Sequence, residues 1–202
     1  MNLTKLSIGA AILAGGKNSR MNGIDKAFLP FKNSTLIENT VSILSKITDE
    51  IIIVTDNPIK YKKTDFNIKN IKIVSDHYKN IGPLGGIHSA LNATTKEKLF
   101  IAACDMPNIN AEFILQMIYE YEKINNCEAL IPKINDCIEP LHAIYNKNIF
   151  NKLVKHLEKT NNYKISRFLK KIKTCYYNIK NEDYHKRYFK NINNIEDINI
   201  FL

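Results

Sequence analysis

Apolar residues follow two rhythms along the chain. Residues 7–14 (SIGAAILA) and 50–56 (EIIIVTD) are nearly unbroken apolar runs, as central strands of a parallel sheet are when both of their faces are covered. Residues 71–75 (IKIVS) and 99–103 (LFIAA) predict a third and a fourth strand, the third ending on Asp76 and the fourth on Cys104-Asp105. Between the strands the spacing lengthens to the 3.6-residue period of a helix. Leu36, Ile37, Val41, Ile43, Leu44 and Ile47 predict one helix over 35–47, with Ser34 or Thr35 as its N-cap. GPLGG, from Gly82, leads into another that runs to Ala93. Phe113, Ile114, Met117, Ile118, Tyr121 and Ile124 share one face of a third, over 111–126. Strands resume at EALIPKI and PLHAIY, helices at 150–157 and 165–172, and a TCYYNI strand precedes a polar tail. This alternation predicts one α/β domain, a mainly parallel sheet with helices on both faces. No linker, repeat or low-complexity tract divides it.

Composition adjusts this picture only slightly. The chain has 202 residues, 45% of them hydrophobic, enough for one sizeable core. Its formal charge of +9 comes from lysine, since Arg20, Arg167 and Arg187 are the sole arginines, and Asn, Ile and Lys are abundant in every segment. Most of the charge is therefore expected on solvated faces, including Lys170, Lys171 and Lys173, with a modest pull on anionic ligands. Cys104, Cys127, Cys137 and Cys175 form no C-x-x-C pair, so reduced, buried thiols are expected. The five histidines show no ligand spacing and are expected at the surface or as satisfied core residues. The apolar stretch at the N-terminus is too short to span a membrane and leads straight into a glycine loop, which predicts a cytoplasmic protein.

The polar residues fall where an open parallel sheet binds ligands, outside the carboxyl ends of its strands. Gly15 and Gly16 follow the first strand, Thr55 to Asn57 the second, while Asp76 and Asp105 end the third and fourth. The loop after the first strand, ILAGGKNSRMNGIDKAFLPF, adds Lys17, Arg20 and Lys26 to its glycines. Gly15, Gly16 and Gly23 match neither G-x-G-x-x-G nor G-x-x-x-x-G-K-[ST]. A glycine loop with cations, a small polar patch and two carboxylates suits a nucleoside triphosphate and its magnesium. Arg20 and Lys26 would counter charge developing on the phosphates, and Asp105 would ligate the metal, because magnesium needs only one or two protein carboxylates. Asp105 could instead cap the helix that follows Pro107.

These residues resemble the molybdenum cofactor guanylyltransferases, the MobA-like nucleotidyltransferases. LAGGKNSRMNGIDKAFLPF is similar to the opening motif of that family, GPLGGIHSAL and AACDMPNI follow in its order, and EPLHAIYN and NINNIEDI resemble its later landmarks. The resemblance implies a three-layer Rossmann-like sandwich of the nucleotide-diphospho-sugar-transferase type, with residues 1–110 forming a nucleotide-binding half and 111–202 a molybdopterin-binding half. It implies that Leu13, Ala14, Gly15 and Gly16 contact the nucleotide through the backbone, with Thr55 of the second-strand patch nearby, where Asp56 and Asn57 are equally placed to face it. By the same resemblance Arg20 and Lys26 meet phosphates, Asp76 binds the nucleoside and Asp105 holds Mg2+. Gly82, Asn191 and Asn193 would be further site residues. The implied reaction moves GMP from Mg-GTP to the terminal phosphate of molybdopterin and releases pyrophosphate. Transient contacts with cofactor delivery or acceptor proteins would accompany it, with no role for nucleic acid or membrane. Asn22 replaces a usual glycine and Glu139 a common glutamine.

Two other functions compete with this one. A cytidylyl- or sugar-phosphate nucleotidyltransferase could use the same loop on other substrates. A basic nucleic-acid or non-catalytic nucleotide-binding module would account for the charge alone, but no helix-turn-helix or aromatic-basic motif accompanies it.

Overall fold

The computed structural model describes residues 7–15, 25–64, 66, 68, 70–179, 187–192 and 197. Arg20, Gly16, Asn22, His185 and Asn193 lie outside them.

Strand β1 (Gly9–Leu13) is followed by a 3-10 turn, Lys26–Phe28, and a small hairpin of β2 (Pro30–Phe31) and β3 (Ser34–Thr35). Helix α1 (Leu36–Leu44) starts at Thr35 because Thr35 and Glu38 form a reciprocal capping box. Next come β4 (Ile51–Thr55), the short α2 (Pro58–Lys62), β5 (Ile71–Ser75), α3 (Pro83–Ala93) and β6 (Lys98–Ala103). Helix α4 (Ala111–Lys123) is capped by Asn110, which accepts from the Phe113 amide at 2.8 Å, so Asp105 is not its cap. The rest comprises β7 (Ala129–Ile134), β8 (Cys137–Ile138), β9 (His142–Asn146), α5 (Phe150–Lys159), α6 (Ile165–Leu169), β10 (Thr174–Asn178) and a 3-10 turn at Arg187–Phe189. No helix among the described residues is long and apolar enough to cross a membrane.

One sheet runs in the order β10-β7-β9-β6-β1-β4-β5, with β8 paired to β7. β1 is parallel to both β4 and β6, β4 to β5, and β7 to β10. β9 alone in that order runs against both its neighbours, β6 and β7, so the mainly parallel expectation holds with one reversed strand. The unbroken apolar runs follow from period-two burial on two faces. Ile51 and Ile53 join a core with α1, α2 and α4, while Ile52 and Val54 join one with α3, α5 and α6. Residues 10, 12, 100 and 102 face the first core in the same way, and 11, 99 and 101 the second.

The cysteines and histidines depart from expectation. Cys127 is buried and Cys104 and Cys175 half-buried, but Cys137 is exposed at the start of β8. His142 is fully buried among Phe100, Phe113 and Phe189, and neither ring nitrogen has a partner among the described residues. Burial pushes its imidazole down to about 3, so it is neutral and acts as another aromatic ring of the core.

Glu50 ties the sheet together at the amino ends of the strands. Its buried carboxylate accepts from the hydroxyl of Thr94, from the Thr95 hydroxyl at 2.8 Å and amide at 3.1 Å, and from Lys72 at 2.9 Å. Gly9 makes the room, because a Cβ there would stand 2.9 Å from Glu50 Oε2. Burial alone would raise this carboxyl, but those donors outweigh it and hold it at about 2. A folded-state value below the unfolded one means stability that is complete above the unfolded value of 4.5 and is lost as pH falls toward 2. We expect Glu50→Gln to cost about 2 kcal/mol at neutral pH, from lost charge-assisted bonds. In denaturant melts, the gap from the native chain should narrow steadily below pH 4.5.

Candidate active site

The chain lays down β1, β4 and β5 in one direction across the sheet, then returns to place β6 on the other side of β1. Such a reversal opens a crevice beyond the carboxyl ends of the strands, because the connecting segments diverge to opposite faces. A cavity of about 550 Å³ occupies this place. The residue after each of the four strands lines it: Ala14 and Gly15 after β1, Asp56 after β4, Asp76 after β5, and Cys104 and Asp105 after β6.

The floor is rigid where the ladder extends one step beyond β1. Ala14 N–H donates to Val54 O at 2.8 Å, and Cys104 N–H to Leu13 O at 3.2 Å. Gly15 follows directly. A Cβ there would be 3.4 Å from Asp56 Oδ2, an ordinary contact, so what Gly15 leaves open is the approach to its own backbone from the cavity.

Lys26 enters from the 3-10 turn beyond the loop. Its ammonium donates to Ile192 O at 2.8 Å and stands 3.5 Å from Asp105 Oδ2. Ile192 is fully buried with Leu29, Phe31 and Leu36, and its N–H donates to Asp105 O at 2.8 Å. The late segment thus braces both members of the Lys26–Asp105 pair. Burial pushes the Asp105 carboxyl up, and Lys26 draws it back. Burial also raises the Cys104 thiol, with Asp105 and Asp25 adding to it, which leaves Cys104 an unreactive thiol at neutral pH.

Asp76 is held differently. Its Oδ1 accepts from Tyr78 N–H at 3.1 Å and from the Ser89 hydroxyl of α3 at 3.2 Å. Burial raises this carboxyl, and the neighbouring charge of Asp56 adds to the effect. Helix α3 presents its N-terminus to the same cavity through Gly82, Pro83 and Gly86. Gly82 has φ +77, a left-handed conformation that favours glycine. Gly85 has no room for a side chain: a Cβ would sit 2.5 Å from Tyr78 O and 2.9 Å from both Asp76 carboxylate oxygens.

The cavity therefore brings together Leu13, Ala14, Gly15, Lys26, Asp76, Gly82 and Asp105 from the sequence-derived set. Thr55 is not among its lining residues. It is 2% exposed, its hydroxyl accepts from Asn57 N–H at 3.2 Å and bonds the Tyr61 hydroxyl, and Asp56 stands at the cavity instead. Period two decides this, since Thr55 continues the inward-facing positions of β4 and the chain turns outward one residue later. Asn191 is beside Ile192, and its side-chain oxygen is buried without a partner among the described residues. Arg20, Gly16 and Asn193 lie outside the described residues. Sequence reasoning gave no role to Asn80, Gly86 and Leu141, which complete the lining. Leu141 arrives because β9 is reversed: its starting end lies at the finishing end of β6, where Ala103 N–H donates to Leu141 O at 3.0 Å.

Among the described residues no three or more Asp, Glu, His or Cys side chains gather as metal ligands. The described lining nevertheless holds four aspartates, Asp25, Asp56, Asp76 and Asp105, against Lys26 alone. Asp105, the carboxylate beside Lys26, suits the one or two protein ligands magnesium takes.

The model of the MobA-like NTP transferase domain matches residues 10–175. A probable molybdenum cofactor guanylyltransferase of Clostridium perfringens strain SM101 is 40% identical over 197 residues, covering 94% of this chain and 91% of that protein. The crystal structure of molybdopterin-guanine dinucleotide biosynthesis protein A from Archaeoglobus fulgidus superposes with a TM-score of 0.78 at 28% identity, covering 96% of each chain. The 4-diphosphocytidyl-2C-methyl-D-erythritol synthase of Anaerococcus prevotii, at 19% identity and a TM-score of 0.68 over 96% of this chain and 93% of that one, shares the fold.

Gly85→Ala should destabilise the protein by about 1–3 kcal/mol, the usual cost of overpacking, because backbone and a tethered carboxylate block the methyl. Gly15→Ala should leave the denaturation midpoint within error of the native chain. Paired urea melts of the two variants check both.

Proposed function

This chain belongs to the MobA-like NTP transferase family, nucleotidyltransferases of molybdenum cofactor biosynthesis, and on that premise we propose that it transfers GMP from Mg-GTP to molybdopterin. The observation that supports this reading best is the Lys26–Asp105 pair, set at the switch point of the sheet and braced by Ile192. Nucleotidyl transfer needs no side-chain nucleophile. An oxygen of the pterin's terminal phosphate forms the new bond to the α-phosphorus of GTP, the bond from that phosphorus to the bridging oxygen breaks, and pyrophosphate leaves with the electron pair. The protein's part is to position the two phosphates and to counter charge on the group that leaves.

Placement supports a role for each residue. Backbone groups at Leu13, Ala14 and Gly15 take the nucleotide along the end of β1. Asp76, fixed by Tyr78 and Ser89, and Asp56 offer carboxylate acceptors to the nucleoside. Guanine, with its adjacent N1–H and N2 amino donors, suits such an acceptor, whereas cytosine shows a single amino group there. Lys26 meets the triphosphate, and Arg20 would join it by resemblance. Asp105 would hold Mg2+, which when bound neutralises the triphosphate and stabilises the departing pyrophosphate. With Asp105 so engaged, Lys26 would be free to turn from its ion pair toward phosphate. Asn191 and Asn193 would complete the phosphate end.

Lys26→Met and Asp105→Asn should each lower kcat/KM by about two to three decades, the usual cost of one preorganised charge-stabilising group. Pyrophosphate release from Mg-GTP, Mg-CTP or Mg-ATP with molybdopterin measures this and the base preference together. Turnover with CTP and none with GTP would sink the guanylyl assignment, and near-native activity in either variant would remove that residue from the mechanism.

A further inference from the structure

The described part of the nucleotide loop leaves β1 at Ala14 and Gly15 and returns at Asp25, and one buried side chain reaches both ends. Tyr61, on the short helix α2, is fully buried. Its hydroxyl is 3.2 Å from each carboxylate oxygen of Asp25 and 3.4 Å from Ala14 O. We propose that Tyr61 is a positioning residue for Lys26, a clasp that joins the two stems of the nucleotide loop through its hydroxyl; this rests on the proposed transfer reaction.

The chain of contacts to Lys26 is short. Asp25 is the N-cap of the turn that bears Lys26: its Oδ1 accepts from Ala27 N–H at 3.2 Å, and its carbonyl from Phe28 N–H at 3.0 Å. Fixing the Asp25 carboxylate therefore fixes the first turn, and with it the direction in which Lys26 leaves the backbone. Lys60, the residue before Tyr61, reaches Asp25 Oδ2 at 3.4 Å and lies 3.9 Å over the Phe28 ring. Phe28 itself meets the Tyr61 ring edge-on at 4.9 Å. The Lys60 ammonium is partly exposed, so its ion pair adds little, and the buried hydroxyl is the stronger hold. Burial and the Asp25 charge keep that hydroxyl protonated, as a donor to a carboxylate must be. If the oxygen is removed, the carboxylate loses its buried donor and keeps the Ala27 amide and the partly exposed Lys60 ammonium.

Tyr61→Phe isolates the oxygen, since the ring that fills the core stays. Three readouts decide the matter: the denaturation midpoint, backbone amide exchange at Ala27 by NMR, and steady-state pyrophosphate release. The expected result is a modestly lowered midpoint, Ala27 exchange faster by roughly tenfold, and kcat/KM for the nucleotide lower by roughly ten- to a hundredfold, as for one lost bond to a charged group. Asp25→Ala, which removes the carboxylate with all its contacts, should lower kcat/KM at least as far, and adding Tyr61→Phe to it should cost little more, because the hydroxyl then has no carboxylate to hold. Native exchange at Ala27 in Tyr61→Phe, or a lowered midpoint with unchanged kcat/KM, would overturn the clasp. If the native chain releases no pyrophosphate from any nucleotide, the transfer reaction fails, while Ala27 exchange still judges the clasp.

Discussion

The parallel ladder that grips β1 between β4 and β6 is the constraint on which the site depends. Each of these strands runs the same way, so each delivers the residue after its end to one crevice. The ladder continues past the strand at Ala14 N–H and Leu13 O, which fixes the nucleotide loop's point of departure to within a residue. Residues far apart in sequence, Gly15, Asp56, Asp76 and Asp105, line one crevice because backbone pairing sets their height. The reversed strand β9 obeys the same geometry with opposite sign, since its first residues reach the crevice where the others bring their last.

Much of this was legible in the sequence. Four strands, three long helices and the gathering of glycines and aspartates at strand ends follow from apolar periodicity and from where polar residues interrupt it. Boundaries shifted inward where caps act: the helix expected over 35–47 begins after Thr35 and ends at Leu44, because Thr35 and Glu38 close a capping box and the last turn tightens. Helix α2 escaped notice because five residues of a lysine-rich stretch, PIKYK, show no period. The direction of β9 was hidden because an apolar run reads alike in either orientation.

At the crevice, Asp76 and Asp105 were legible because charged residues rarely stand at the ends of buried strands without cause, and Lys26 because it is a cation of the glycine loop. The sequence left Thr55, Asp56 and Asn57 open, and Asp56 is the one that lines the crevice, because one residue turns a side chain from one face of a strand to the other. Tyr61 carried no sequence signal, and Leu141 stood within EPLHAIYN without a role of its own. An aromatic ring within a polar helix and a leucine before a strand are ordinary core residues until the tertiary structure sets them beside a loop stem and a crevice.

The knot at Glu50 sits at the opposite end of β4 from Asp56, six residues away and so about 20 Å along an extended strand. That distance exceeds the range over which substitutions usually couple. The strand thus works as a spacer between an anchor and a workplace. A lineage carrying this fold can lose grip at the crevice while changing its ligand and regain it at the far end, with neither change felt by the other.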